Sequence, residues 1–406
     1  MRGGAHAVRA LRPPPPAAAP ALPEYLPFGR PSFTDREIEA VVRVMRTGWI
    51  GMGKETLAFE EELARALGAP QVVTVDTCTS ALFLALLASG IRAGDAVIVP
   101  SLTWCATANA ALQLGATAVF ADVDPDTLCL SPATVAERLG PRTRAVLPVH
   151  FGGLAVDVRG LRAALPDRVA VVEDAAHALG ARYPGGTAVG SSGNLTCFSF
   201  YANKNLSTGE GGAIALADRV VADRLRSLRQ NAMPTNAWSR FTQPRAMLYF
   251  ALEELGYKMN YTDLNAAIGR VQLARQPELA ATRRAVAEVY LEALRRLDPD
   301  IRVQARLGEA VHARHLFPVV LPIRKLRVDR DAVVLALRAR NVGASVHYAP
   351  LHRMPLYTQG NRAPELPVTD ALAASILTLP ISASMGPEQA EAVAEIFAEV
   401  YRAGLR

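Results

Sequence analysis

Residues 71–123, QVVTVDTCTSALFLALLASGIRAGDAVIVPSLTWCATANAALQLGATAVFADV, alternate short β-branched runs with apolar helical ones. QVVTV, AVIVP and TAVFADV read as strands, and SALFLALLASG and TANAALQLG between them read as helices. The same rhythm continues through a helix PATVAERLG and the strand-like RAVLPVHF, RVAVVEDA, LTCFSFY and GGAIALA, about seven strands in all. Near-continuous apolar strands joined by helices predict an α/β fold with a mostly parallel seven-stranded sheet covered by helices on both faces. Ligands in such sheets gather at the carboxyl ends of the strands.

Upstream, TDREIEAVVRVMRTG opens on Thr34 with Glu37 three residues later, a capping-box spacing, and GKETLAFEEELARALG forms a second helix. The turn GWIGMG between them carries Trp49, which either borders a ligand site or packs on the adjacent helix. Downstream, EVYLEALRRLDPDIRVQ reads as a long helix. It is followed by the strand LFPVVLP, a helix RDAVVLALRARNVG, a strand ASVHY and a closing helix PEQAEAVAEIFAEVYRAG. That pattern predicts a large domain over 25–275 and a smaller α+β domain over 276–406. Residues 1–24 are Pro/Ala-rich, with a proline block no helix tolerates, and read as a disordered tail.

The chain has 406 residues, half of them hydrophobic, enough for a large core. Its formal net charge is +6, but the arginines are scattered along helix-like stretches, which argues against a nucleic-acid partner. No uninterrupted apolar stretch reaches the ~20 residues of a membrane span. Cys78, Cys105, Cys129 and Cys197 show no metal-ligand spacing and read as free thiols of a reducing cytosol, so a cytoplasmic location is expected. His347 and His352 in SVHYAPLHRMPLY have no carboxylate or cysteine nearby, so no metal is expected. No GxGxxG or P-loop occurs in a strand–turn–helix setting.

Two residues carry most of the chemistry. Lys204, in FSFYANKNLSTGEGG, stands between an apolar strand and a glycine-rich turn among uncharged neighbours, as an amine that forms a Schiff base requires. Asp174, in VAVVEDAAHALGA, ends an apolar strand and is costly to bury without a partner. A pyridinium nitrogen would supply one, and capping of a helix AAHALG is the alternative. A lysine and a carboxylate at consecutive strand ends suggest pyridoxal phosphate chemistry. Thr77, Thr79 and Ser80 open a helix whose free N–H groups favour a phosphate, or else Asp76 or Thr77 simply caps it. Ser199 would be a further phosphate donor. Trp104, between a strand and a helix, either covers a flat heteroaromatic ligand or fills the core.

Taken in order, GWIGMG, TCTSALFLAL, PSLTWCATANAAL, VFADVDPDTL, PVHFGG, VEDAAHALGA, FSFYANKNLSTGEGG, GYKMNYTDLNAAIG and VHYAPLHRMPLY resemble the DegT/DnrJ/StrS family of sugar aminotransferases, across nearly residues 25 to 400. The resemblance implies a pyridoxal 5'-phosphate-dependent transferase of the aspartate-aminotransferase fold type. It implies Lys204 as Schiff-base lysine and proton shuttle, Asp174 beneath the pyridine nitrogen, and Trp104 stacked on the ring. Thr79, Ser80 and Ser199 would hold the phosphate and His177 would lie beside the cofactor. Asn260 would reach the phosphate of a neighbouring subunit, so a homodimer with shared sites is expected.

The expected reaction moves an amino group from an amino acid, L-glutamate by resemblance, to a keto sugar, most readily a 4-keto or 3-keto nucleotide sugar. A cyclitol ketone, an aromatic-amine precursor or a non-catalytic sensor are the alternatives. His347 and Tyr348 are the candidate substrate contacts, with Arg229 and Arg353 as candidates for a diphosphate. Cys78, Phe83 and Asn203 depart from residues frequent in the family, and Lys204 in place of a histidine favours transamination over deoxygenation.

Overall fold

The computed structural model describes residues 21–234, 238, 242, 251–305, 311–358 and 363–406. Most of the expected tail therefore lies outside the described residues. Seven strands form one sheet: β1 (Gln71–Val75), β2 (Ala96–Pro100), β3 (Thr117–Ala121), β4 (Thr143–Val146), β5 (Ala170–Asp174), β6 (Leu195–Ser199) and β7 (Gly212–Leu216), in the order β1-β7-β6-β5-β4-β2-β3. All neighbours are parallel except β7, which runs antiparallel to both β1 and β6. The expected α/β sheet is thus observed. A second, antiparallel sheet joins β8 (Arg302–Val303), β9 (Phe317–Val320) and β10 (Ile376–Leu379).

The helices of nine or more described residues are α1 (Asp35–Arg46), α2 (Lys54–Leu67), α3 (Cys78–Ala88), α4 (Cys105–Gln113), α5 (Arg219–Leu228), α6 (Asp263–Ala274), α7 (Gln276–Leu297), α8 (Arg330–Arg338), α9 (Pro367–Ser375) and α10 (Pro387–Gly404). The strand period of two sorts the large sheet's side chains into two cores. Val72, Ile98, Val171, Phe198 and Ala213 face one, while Val73, Val97, Val172, Cys197 and Ile214 face the other. A third core lies between the small sheet and α7, α8 and α10, and Leu22 and Leu26 pack against it.

Two helices are capped from a distance. Gly53 offers α2 no side-chain cap. Asp263, at the start of α6, accepts instead from the backbone N–H groups of Gly53 (2.7 Å) and Thr56 (3.0 Å) and from Thr56 Oγ1 (2.7 Å). Asp122, just after β3, likewise accepts from the N–H groups of Val368 and Thr369 at the start of α9. These bonds satisfy first-turn donors that local sequence leaves open. The Thr34–Glu37 capping box forms as expected.

Some local expectations fail. AAHALG is a pair of turns, closed by Ala178 N–H to Ala175 O and Ala181 N–H to Ala178 O, because Gly180 at φ +87° breaks the helical path. ASVHY is reduced to a single bridge between Ser345 and Thr378, beyond which Pro350 lacks a donor. Strands β8 and β10 lie outside the sequence reading.

Candidate active site

Because β7 reverses, the end of β6 and the start of β7 lie on the same edge as the carboxyl ends of β1, β2, β4 and β5. Ser199 pairs with Gly212, and Val75 pairs with Gly212 from the other side. The loop 200–211 therefore returns over that edge and carries Lys204 to it. Gly212 must lack a side chain: a Cβ there would lie 2.6 Å from the carbonyl of Thr77, where α3 begins. That close approach sets the α3 N-terminus against the same edge.

Asp174 is the last residue of β5 and is buried. Its Oδ2 accepts from Thr107 Oγ1 at 2.8 Å and its Oδ1 from Ala176 N–H at 3.1 Å. Among the described residues no cation sits within ion-pair distance of it. Burial pushes its carboxyl above the ordinary 3.8, against those two hydrogen bonds and the positive charge of Lys204. Lys204 is half-buried, with no carboxylate in ion-pair distance among the described residues. Burial lowers its amine from 10.5 to about 8, while the charges of Cys78 and Asp174 oppose that shift.

The amine meets a row of rings. Lys204 Nζ lies 3.4 Å from His315 Nε2, and the His315 and His177 rings are 4.5 Å apart. Gly152 N–H donates to His177 Nδ1 (3.3 Å), which leaves Nε2–H to donate to the Tyr348 hydroxyl at 3.2 Å. Tyr348 also stacks on His177 and lies 6.1 Å from Trp104. Burial, followed by the charges of Lys204 and His347, lowers His177 well below the ordinary imidazole value, so it is neutral.

The structure brings Lys204, Asp174, His177, Tyr348 and Trp104 together. Trp104 precedes α4 and is 62% exposed, which excludes the core-filling alternative. Thr77 caps α3 through Ser80 N–H (3.1 Å), Ser80 is buried with its hydroxyl 2.9 Å from that of Thr77, and Thr79 is exposed at the helix start. Buried Ser199 Oγ accepts from Tyr201 N–H. His347 is buried with Nδ1 2.9 Å from Thr378 Oγ1, and burial drives its imidazole down to about 3.

Among the described residues no hydrogen bond or ion pair joins Asn260 to Lys204 or Asp174. Asn260 bonds Lys258 and lines a cavity of about 450 Å³ with Trp49 and Met52. Trp49 is half-buried, edge-on to Trp238.

Of the two arginines, Arg229 does not serve as expected. Arg229 is buried and pairs with Glu60 Oε1 and the Thr74 carbonyl, both at 2.5 Å, holding β1 to α2. Arg353 is an exposed partner of Asp370. Thr107 and His315 escape the sequence reading. Thr107 carried a signal, a hydroxyl three residues after Trp104 in an alanine-rich helix, whereas nothing local marks His315.

Residues 31–398 match the model of the DegT/DnrJ/EryC1/StrS aminotransferase family. The chain belongs to this family. It is 37% identical over 382 residues to the spore coat polysaccharide biosynthesis protein SpsC of Bacillus subtilis (strain 168), covering 93% of this chain and 97% of that protein. Its fold matches the aminotransferase TlmJ from Streptoalloteichus hindustanus with a TM-score of 0.85 and 33% identity, over 93% of this chain and 99% of that one. It also matches DesI, solved in the presence of its TDP-sugar product, with a TM-score of 0.84 and 30% identity over 95% of each chain.

The protein is therefore a pyridoxal phosphate-dependent aminotransferase. Its residues fit the cofactor: a buried carboxylate without a cation, an amine without a carboxylate, a helix N-terminus and an exposed indole converge on one edge. Among the described residues no cluster suited to a metal occurs, and no helix is long and apolar enough to cross a membrane.

Proposed function

We propose that this aminotransferase moves an amino group from an amino acid, L-glutamate, to the ketone of a nucleotide-linked sugar, forming an amino sugar. The DesI complex with a TDP-sugar and the polysaccharide role in the name of SpsC support the sugar acceptor. The observation that carries the catalytic assignment is a buried carboxylate and an amine, Asp174 and Lys204, that share one sheet edge with hydrogen-bond partners but no ion-pair partner among the described residues.

Pyridoxal phosphate, when bound, supplies an aldehyde for the donor's amine and a conjugated ring that takes up the electron pair left by the departing α-proton. Asp174, raised by burial and short of donors, would hold a proton on the ring nitrogen, while Thr107 and Ala176 N–H fix its orientation. Lys204 takes the α-proton from the donor and later returns one to the sugar carbon. An amine lowered to about 8 serves both directions near neutral pH. The N-terminus of α3 with Thr79 and Ser80, together with Ser199, would bind the phosphate. Trp104 would cover one face of the ring and His177 would flank it, with His347 and Tyr348 as the residues that would meet the substrate. Asn260, which lines a cavity with Trp49 and Met52, would complete the site of a second subunit in a homodimer.

The test is product mass after incubation with pyridoxal phosphate, L-glutamate and a panel of nucleotide-linked keto sugars. A ketone-to-amine exchange on one of them, absent in Lys204→Ala, is expected. A wild-type protein that aminates none of these sugars, yet aminates a cyclitol ketone, would overturn the acceptor assignment.

A further inference from the structure

The hydrogen-bond partner of the Lys204 amine is an imidazole rather than a carboxylate. His315 lies just before β9, and its backbone N–H donates to Gly152 O at 3.0 Å. Gly152 in turn donates its own N–H to His177 Nδ1. One glycine thus holds the ring of His177 and the main chain of His315, and the two rings lie against each other at 32°. With its main chain held by Gly152 and its ring packed on His177, His315 places Nε2 3.4 Å from Nζ, where a free lysine amine finds an acceptor.

We propose that His315 is a positioning residue that receives the free amine of Lys204 through Nε2 and holds it in place without pairing it with a negative charge. This rests on the assignment of Lys204 as the proton-transferring amine.

The physical logic is a choice between acceptors. A carboxylate at that place would stabilise the ammonium and remove the base; an apolar group would leave the amine with no partner. A neutral imidazole lies between the two for this half-buried amine. His315 stays neutral because it is buried and because the groups facing it are cationic or potentially so: Lys204, His177, His347 and Arg283 of α7. Arg283 is 3% exposed and donates Nε to the Ala313 carbonyl at 3.4 Å. The groups acting on Lys204 from the other side are Cys78 of α3 and Asp174 of β5.

The test reads the amine directly, in the full chain stripped of cofactor. Modification of Lys204 by an amine-selective acylating reagent is followed against pH and located by peptide mass spectrometry. The wild-type rate should reach half its maximum at pH about 8. His315→Leu withdraws an acceptor from the ammonium, so its midpoint falls and the rate at pH 7 rises about threefold. His315→Glu raises the midpoint and slows modification at pH 7 about tenfold. His315→Gln, which retains an acceptor oxygen, stays near wild type.

In the cofactor-loaded enzyme, the rate at which an amino donor bleaches the visible absorbance should fall about tenfold in His315→Leu, with donor KM within about twofold, and recover in His315→Gln. Equal midpoints in wild type, Leu and Glu would overturn the proposal, as would a Gln variant as slow as Leu. A failure of the transaminase assignment would show separately, as a wild type that bleaches with no donor, because the labelling arm needs no turnover.

Discussion

Glu173 and Asp174 are neighbours on one strand, both buried, and their surroundings are opposite. The strand alternation sends them to different faces of the sheet. Glu173 accepts from His150 Nε2 (2.9 Å), Tyr183 OH (2.6 Å), Ser192 Oγ (2.5 Å) and Asn194 Nδ2 (2.8 Å). Burial pushes its carboxyl up, but these bonds and the His150 charge outweigh it and hold the group below the ordinary 4.5. Asp174 accepts from two donors and is raised. A buried charge that the fold satisfies belongs to the scaffold, and one that it leaves short of partners awaits a ligand.

Breaking the unsatisfied member should cost rate rather than stability. Asp174→Asn is expected to slow amino-donor turnover about a thousandfold, equivalent to ~4 kcal/mol of barrier. The melting temperature of the cofactor-free chain should hold or rise, because an uncompensated charge is removed. Single-turnover kinetics and a thermal melt check both halves. A variant as fast as wild type would remove Asp174 from the mechanism.

Breaking the satisfied member should do the reverse. Glu173→Ala strands two buried donors, His150 and Tyr183, and frees the more exposed Ser192 and Asn194, and is expected to destabilise the protein by about 3 kcal/mol, read by denaturant unfolding. Glu173→Gln keeps some of those bonds and should lose less, with kcat per folded molecule unchanged. A Glu173→Gln enzyme that folds normally but has lost turnover would merge the two carboxylates into one functional unit.

Acid sharpens the contrast, because the two shifts have opposite signs. A lowered carboxyl contributes stability above its unfolded value that disappears as pH falls through its folded value. The melting deficit of Glu173→Gln should therefore be constant near neutrality and shrink below about pH 4.5. Asp174, raised in the folded chain, costs stability above its folded value, and that cost vanishes as pH falls through it. Any advantage of Asp174→Asn should shrink in the same direction. Melts of the cofactor-free chain from pH 8 downward separate the two.

The two carboxylates were not equally legible in the sequence. The seven strands were, because apolar runs and intervening helices are local patterns. Asp174 and Lys204 stood out as polar groups ending apolar strands. The partners of Glu173 carried no such mark: they reach it across a fold that only the sheet order defines. His315 is 111 residues from Lys204, and Glu60 is 169 residues from Arg229. Arg229 accordingly looked like a surface cation available to a diphosphate and is instead the buried tie between α2 and β1. Contacts made by chain closure leave no periodic signal, so the strand-borne part of the site is readable from local pattern, His177, His347 and Tyr348 come only with the family resemblance, and His315 comes with neither.

The smallest effect tests whether satisfaction by backbone behaves like satisfaction by side chains. Asp263 resembles Glu173 in being buried and well supplied, but its donors are chiefly the first-turn N–H groups of α2. Helix caps are typically worth ~0.5–2 kcal/mol, so Asp263→Ala should cost near the upper end of that range, less than Glu173→Ala. Asp263→Asn, which keeps an acceptor oxygen, should recover most of it. Because the same carboxylate fixes Gly53 beside the Trp49 turn, amide hydrogen exchange should accelerate at residues 53–56 in Asp263→Ala and not at β5. Acceleration spread equally over both would mean that this cap supports the whole domain rather than one helix start.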